Sequence, residues 1–171
     1  KEIIIPSKVT IIGSSAFSEC HYIEHVELSS SLIKIKHMAF KDCEYLENII
    51  IPSSVTNIGS YAFSFCISLT EVVFENLSSN IQIDQGAFSN CSKLSKIQLP
   101  QKITTIENET FKSCKGLTEI KIPSTVLKIG SDSFGCSSLK EIIIPSSVTE
   151  IGEYAFYICT YLKISFDKNS S

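Results

Sequence analysis

Residues 46–66 read LENIIIPSSVTNIGSYAFSFC. Stripped to its apolar and turn-forming positions, this is L-x-x-I-x-I-P-x-x-V-x-x-I-G-x-x-A-F-x-x-C. Ile49 and Ile51 alternate at the strand period of two and are expected to point inward. Pro52 cannot donate to a continuing ladder and should end that strand. Ser53 and Ser54 suit a turn, and Val55 and Ile58 supply a second inward pair. Gly59 suits a corner with an unusual backbone angle. Ala62, Phe63 and Cys66 are spaced for one short helical or 3-10 turn.

The same skeleton recurs along the chain. Residues 139–159 read LKEIIIPSSVTEIGEYAFYIC, almost a copy. Phe17, Phe40, Phe63, Phe88, Phe111, Phe134 and Phe156 recur at intervals of 23, 23, 25, 23, 23 and 22. Cys20, Cys43, Cys66, Cys91, Cys114, Cys136 and Cys159 follow at 23, 23, 25, 23, 22 and 23, which reads as one column. Pro6, Pro52, Pro100, Pro123 and Pro145 form a second column, and Gly13, Gly59, Gly130 and Gly152 a third. Six full copies follow an initial fragment, and the chain stops inside a further copy at YLKISFDK. No linker separates the copies, so residues 1–171 read as a single solenoid domain. The tail from Lys168 to Ser171 is expected to fray.

A period of about 23 residues with L-x-x-L-x-L at its head is a leucine-rich-repeat signature. One copy has apolar residues on several sides and cannot bury them alone. Stacking buries them all. The expected fold is a β-rich leucine-rich-repeat solenoid of about seven turns. Its concave face carries a parallel sheet, with short second strands and 3-10 or helical turns on the convex side. The phenylalanines should form an inner spine and the cysteines a second ladder. Stacked side chains in one column point the same way, which favours buried free thiols over disulfides. Seven is also odd, so complete pairing within the chain is impossible.

Two copies depart from the pattern. The copy ending at Cys91 carries two extra residues around 75–80 and lacks the proline, which reads as a bulge on the rim. The copy at 23–43 has Ser29 for proline and Lys36 for glycine. These changes read as drift at surface corners, or as marks of a shaped local site.

The marks IPSSVTxIGxxAFxxC followed by xxLxxI resemble the BspA-like leucine-rich repeats, also called the Treponema pallidum type. The resemblance covers nearly the whole chain. It implies a surface protein of a host-associated bacterium or a mucosal protozoan parasite. It also implies adhesion to host matrix proteins or to other cells. A shared scaffold does not name a ligand.

Composition narrows the function further. The chain is 43% hydrophobic and 19% charged, with net charge −3. All 15 basic residues are lysines. The acidic balance and the absence of arginine argue against nucleic acid as partner, since forked arginine contacts dominate that recognition. No apolar run approaches the roughly 18 residues of a membrane span, so membrane insertion by this segment is not expected. KEIIIPSKVT is not a signal peptide; a signal or anchor would lie outside the segment. A cytoplasmic location remains the alternative.

An enzyme needs unlike residues gathered in one place. Here the repeat spreads polar residues out, and no HExxH, CxxC, GxSxG, Walker A or GxGxxG pattern occurs. His21 and His25 sit four apart, but on a corner and a strand, which speaks against a metal. No catalytic residue, cofactor or metal site is assigned.

The positions flanking the inner isoleucines should face outward in two columns. One holds Glu2, His25, Asn48, Glu71, Lys96, Glu119 and Glu141. The other holds Ile4, Glu27, Ile50, Val73, Gln98, Lys121 and Ile143. Apolar positions rimmed by carboxylates suit a protein-binding strip, for a host matrix or cell-surface protein carrying a basic patch. The plainer reading is that β-branched residues suit strands and glutamates keep them soluble. A glycan ligand is a further reading. Sequons at Asn76, Asn90, Asn108 and Asn169 would be acceptor sites in a secreted eukaryotic protein. An intracellular scaffold or a structural spacer are the rival functions. Neither end of the segment has a polar cap, so end-to-end self-association is expected.

Overall fold

The structure, a computed structural model, describes residues 1–167. The tail reading at 168–171 and the sequon at Asn169 lie outside the described residues. The chain winds as a parallel β-solenoid, and each coil contributes one segment to each of three rows. The first row holds the strands Glu2–Ile4, His25–Glu27, Asn48–Ile51, Glu71–Phe74, Lys96–Ile97, Glu141–Ile144 and Lys163–Phe166. The second row holds seven two-residue strands, from Ile11–Ile12 to Glu150–Ile151. All pairings are parallel and join one coil to the next, as in Ile49 with Val72 and Ile35 with Ile58.

The repeat residues behave as their spacing requires. Within Asn48–Ile51 exposure alternates, with Ile49 and Ile51 sealed and Asn48 and Ile50 open. Pro52 closes the strand, and the Val55 amide donates back to its carbonyl oxygen at 3.0 Å. Val55 and Ile58 are buried beside them. Phe40, Phe63, Phe88, Phe111 and Phe134 are fully buried. Their rings stack nearly parallel with centroids 5.3–6.0 Å apart. Each buried ring removes enough apolar surface to stabilise the fold by about 2–3 kcal/mol.

The third row differs from the expected helical or 3-10 turn. Residues 60–65 form consecutive tight turns. Ala62, Ser64 and Cys66 donate locally, to Gly59, Tyr61 and Phe63. The intervening amides of Tyr61, Phe63 and Phe65 donate instead to Gln85, Ala87 and Ser89 of the next coil, at 2.8–2.9 Å. A helix would direct every amide along its own axis and leave none for stacking. Alternation is achieved by placing Tyr61 and Phe65 in the left-handed region, at φ 57° and 60°.

That finding moves the unusual backbone angle away from Gly59. Gly86, which occupies the place of Tyr61 in its coil, has φ 63° and is the one positive-φ glycine among the described residues. Gly59 is required by close approach. A Cβ there would lie 2.7 Å from the backbone nitrogen of His37.

Two further expectations are corrected. Ser29 is buried, and it is no surface corner. Its hydroxyl donates to the Ser7 carbonyl at 3.2 Å and accepts from the Ser31 amide at 3.1 Å, which holds the turn without proline. The cysteine column also has a gap. Cys43, Cys66, Cys91, Cys114 and Cys159 each donate to the carbonyl of a phenylalanine in the preceding coil, at 3.1–3.2 Å. Cys136 does not. It sits one place early, at φ 59°, where other coils carry Phe65, Asn90 and Ser113. Ser137 occupies the column instead, with its hydroxyl 3.4 Å from the Cys159 sulfur. A residue is missing between Phe134 and Leu139, so that coil is one residue short.

All seven thiols are free. Burial pushes the Cys43 thiol up to about 12, and pushes Cys66, Cys91 and Cys114 well above the ordinary thiol range. Such thiols are poor nucleophiles.

Candidate functional site

The first strand row presents the two flanking columns on one face. Backbone pairing sets Glu2 beside His25, Asn48 beside Glu71, and Glu71 beside Lys96, while Glu119 bridges Glu141. In the second column Ile4 meets Glu27 and Ile50 meets Val73. Lys121, Gln98 and Ile143 complete it further along. All fourteen residues are exposed except Glu71, which is half-buried. Ile4, Ile50, Val73 and Ile143 keep 62%, 52%, 40% and 54% of their surface open, a cost the fold itself does not require.

The ladder of this row is not continuous. In the coil of Glu119 it thins to a single bridge. A groove of about 1060 Å³ lies across that place. Its floor is Glu71, Val73, Lys96, Gln98, Glu119, Lys121, Glu141 and Ile143, and one flank carries Pro123, Pro145 and Asp167. Glu2, Ile4, His25, Glu27, Asn48 and Ile50 lie along the same face outside the groove. Pro123 and Pro145 follow the inward Ile122 and Ile144, where the repeat pattern marks strand ends. Their signal was the proline column.

Five charged residues of the groove floor stand apart from the ion pairs of the fold. Among the described residues, Glu71, Lys96, Glu119, Lys121 and Glu141 form no ion pair within 4.0 Å; the pairs present lie elsewhere, such as Lys112 with Asp132 and Lys128 with Glu150. Just outside the groove, the Glu75 carboxylate accepts from the Ser53 amide at 3.0 Å. Among the described residues, no three histidine, cysteine, aspartate or glutamate side chains gather to hold a metal ion. Nor, among the described residues, is any helix long and apolar enough to cross a membrane. Of the sequons, Asn76 is exposed on the inserted loop. The Asn108 side chain is committed to the Ser131 amide at 2.8 Å.

A β-solenoid built from such coils, with an open strand face, defines a leucine-rich-repeat interaction scaffold. The particular family follows from its repeats. The BspA-type leucine-rich repeat region matches residues 1–82 and 74–171, and the chain belongs to that family. Solved structures agree. A leucine-rich repeat protein from Bacteroides ovatus is 30% identical with TM-score 0.72, over 98% of this chain and 51% of that one. The leucine-rich repeat protein of Treponema pallidum is 28% identical with TM-score 0.72, over 95% and 64%. A leucine-rich cell-surface protein from Faecalibacterium prausnitzii is 28% identical with TM-score 0.52, over 99% and 60%. The chain thus spans between half and two thirds of the length of these relatives. Among curated proteins none matches it.

Proposed function

We propose that this chain is a non-catalytic protein-binding module of the cell surface or of a secreted protein. In this reading residues 1–171 act as one solenoid domain and bind a host matrix or cell-surface protein through the strand face. The observation that carries it is the groove floor, where the open aliphatic side chains of Val73 and Ile143 stand among Glu71, Lys96, Glu119, Lys121 and Glu141, which form no ion pair among the described residues. Water-exposed aliphatics gain on burial, and unpaired charges on a strand face select a partner by complementarity. Glutamates 71, 119 and 141 outnumber lysines 96 and 121, so a partner with a basic patch is favoured. The cell-surface relative from Faecalibacterium prausnitzii supports the location.

The test is binding of the folded segment to immobilised matrix proteins, fibronectin among them, beside a Val73→Asp/Glu119→Lys variant. Saturable binding lost in the variant, with its melting temperature kept, supports the reading. Equal binding by both forms removes the strand face from it. Absence of binding by either form shifts the reading to a scaffold or spacer.

A second expectation concerns the last coil. Ile151, Ile164 and Phe166 expose 45%, 46% and 64% of their surface, whereas Ile58, Ile49 and Ile51 at the same coil positions are sealed. We propose that this surface supports end-to-end association of the segment. A concentration-independent monomer in sedimentation velocity would refute that.

A further inference from the structure

A second cleft lies beside the coil that is one residue short between Phe134 and Leu139. In three earlier coils this corner is closed by a backbone rung, from the Tyr45, Ser68 and Gly116 amides to His21, Glu44 and Ser92. Among the described residues no such rung forms at Ser138 or Tyr161. A cleft of about 820 Å³ lies there instead.

Its lining is unlike the rest of this acidic chain. Lys115, Lys140 and Lys163 all line it, and among the described residues Glu141 is its one carboxylate. The three lysines come from three successive coils. The Lys163 amide donates to the Lys140 carbonyl at 2.9 Å, which brings the two residues together and sets Lys163 beside Glu141 in the parallel ladder. All three are exposed, and among the described residues none forms an ion pair. Earlier coils carry Glu47, Thr70, Ser95 and Thr118 where Lys140 stands, so the charge is local to the gap. The hydroxyls of Thr118, Ser138 and Thr160 line the same cleft, and the Tyr161 ring stands 84% open at its mouth.

We propose that this cleft binds an anionic polysaccharide, one bearing sulfate or carboxylate groups. The lysines neutralise its charges, the hydroxyls meet its ring hydroxyls, and Tyr161 offers an apolar face to a sugar ring. Nucleic acid fits less well, because no guanidinium is available to fork onto phosphate. The inference does not rest on the strand-face reading. The two sites adjoin at Glu141 but differ in charge.

The experiment measures binding of the whole segment to a heparin oligosaccharide, a hyaluronan oligosaccharide and a single-stranded DNA oligonucleotide, at about 0.15 M ionic strength. The variants are Lys115→Ala/Lys140→Ala/Lys163→Ala and, as a charge-matched control, Lys8→Ala/Lys34→Ala/Lys102→Ala. The cleft variant should weaken polysaccharide binding on the order of a hundredfold, with its melting temperature and the control's affinity unchanged. Binding to either polysaccharide supports the proposal, and the arm that binds names the anionic group. Equal loss in both variants would reduce the effect to diffuse charge and overturn it. So would DNA binding of equal strength, or no polysaccharide binding by the unmodified segment.

Discussion

The Cys66 thiol donates to the carbonyl oxygen of Phe40 at 3.2 Å, so the spine and the cysteine ladder are one structure. The thiol shares that carbonyl with the Cys43 amide, which donates to it at 3.3 Å. It does so as a neutral group.

Stability should therefore fall at alkaline pH. Burial raises the folded-state values of Cys43, Cys66, Cys91 and Cys114, while unfolded thiols ionise near their ordinary value. The unfolded chain then loses protons that the folded chain retains. The stability is fully present below about pH 8.5. Above that it declines by about 1.4 kcal/mol per pH unit for each such thiol. For Cys43 the decline continues until the folded value of about 12 is passed. Urea unfolding between neutral and alkaline pH measures this, and Cys114→Ala should flatten the slope. An unchanged slope would mean that the thiol is not the titrating group.

Thiol labelling should divide the cysteines by burial. Cys20, Cys136 and Cys159 are partly open, and the other four are sealed. A maleimide should modify the first group in the native protein and the second only on unfolding. Mass spectrometry of the labelled peptides reads the outcome.

Gly59→Ala and Gly13→Ala should differ sharply. A Cβ at Gly59 meets His37 backbone at 2.7 Å, while one at Gly13 meets nothing within 4 Å. The first should cost about 1–3 kcal/mol through overpacking, and the second should be near neutral or slightly stabilising. Comparable melting temperatures for the two variants would contradict the close-approach account.

Ser133→Ala should stabilise the fold by about 1 kcal/mol. Ser133 is sealed, and among the described residues its hydroxyl has no hydrogen-bond partner. Ala39, Ala62, Ala87 and Ala155 fill that place in other coils. Phe88→Ala is the opposite case, costing about 3–5 kcal/mol because rings above and below hold the cavity open.

The repeat alone determined the family, the strand rows, the phenylalanine spine and the two outward columns. Period-two alternation and a fixed coil length leave one way to bury Ile49, Ile51 and Phe63 together. Tertiary structure decided what coil-to-coil contact controls. Helical spacing at Ala62 and Phe63 suggested a helix because spacing records only which side chains go inward. The amides of Tyr61 and Phe65 were claimed by the next coil, and that forced the left-handed angles away from Gly59. Cys136 looked like a member of its column because its nearest sequence interval differs by a single residue. Only the stack distinguishes a cysteine in the ladder from one beside it, since a hydrogen bond to the coil before is a three-dimensional relation. The groove and the lysine cleft are of the same kind. Both arise where one coil fails to match its neighbour, and that mismatch has a shape only when the coils are placed against each other.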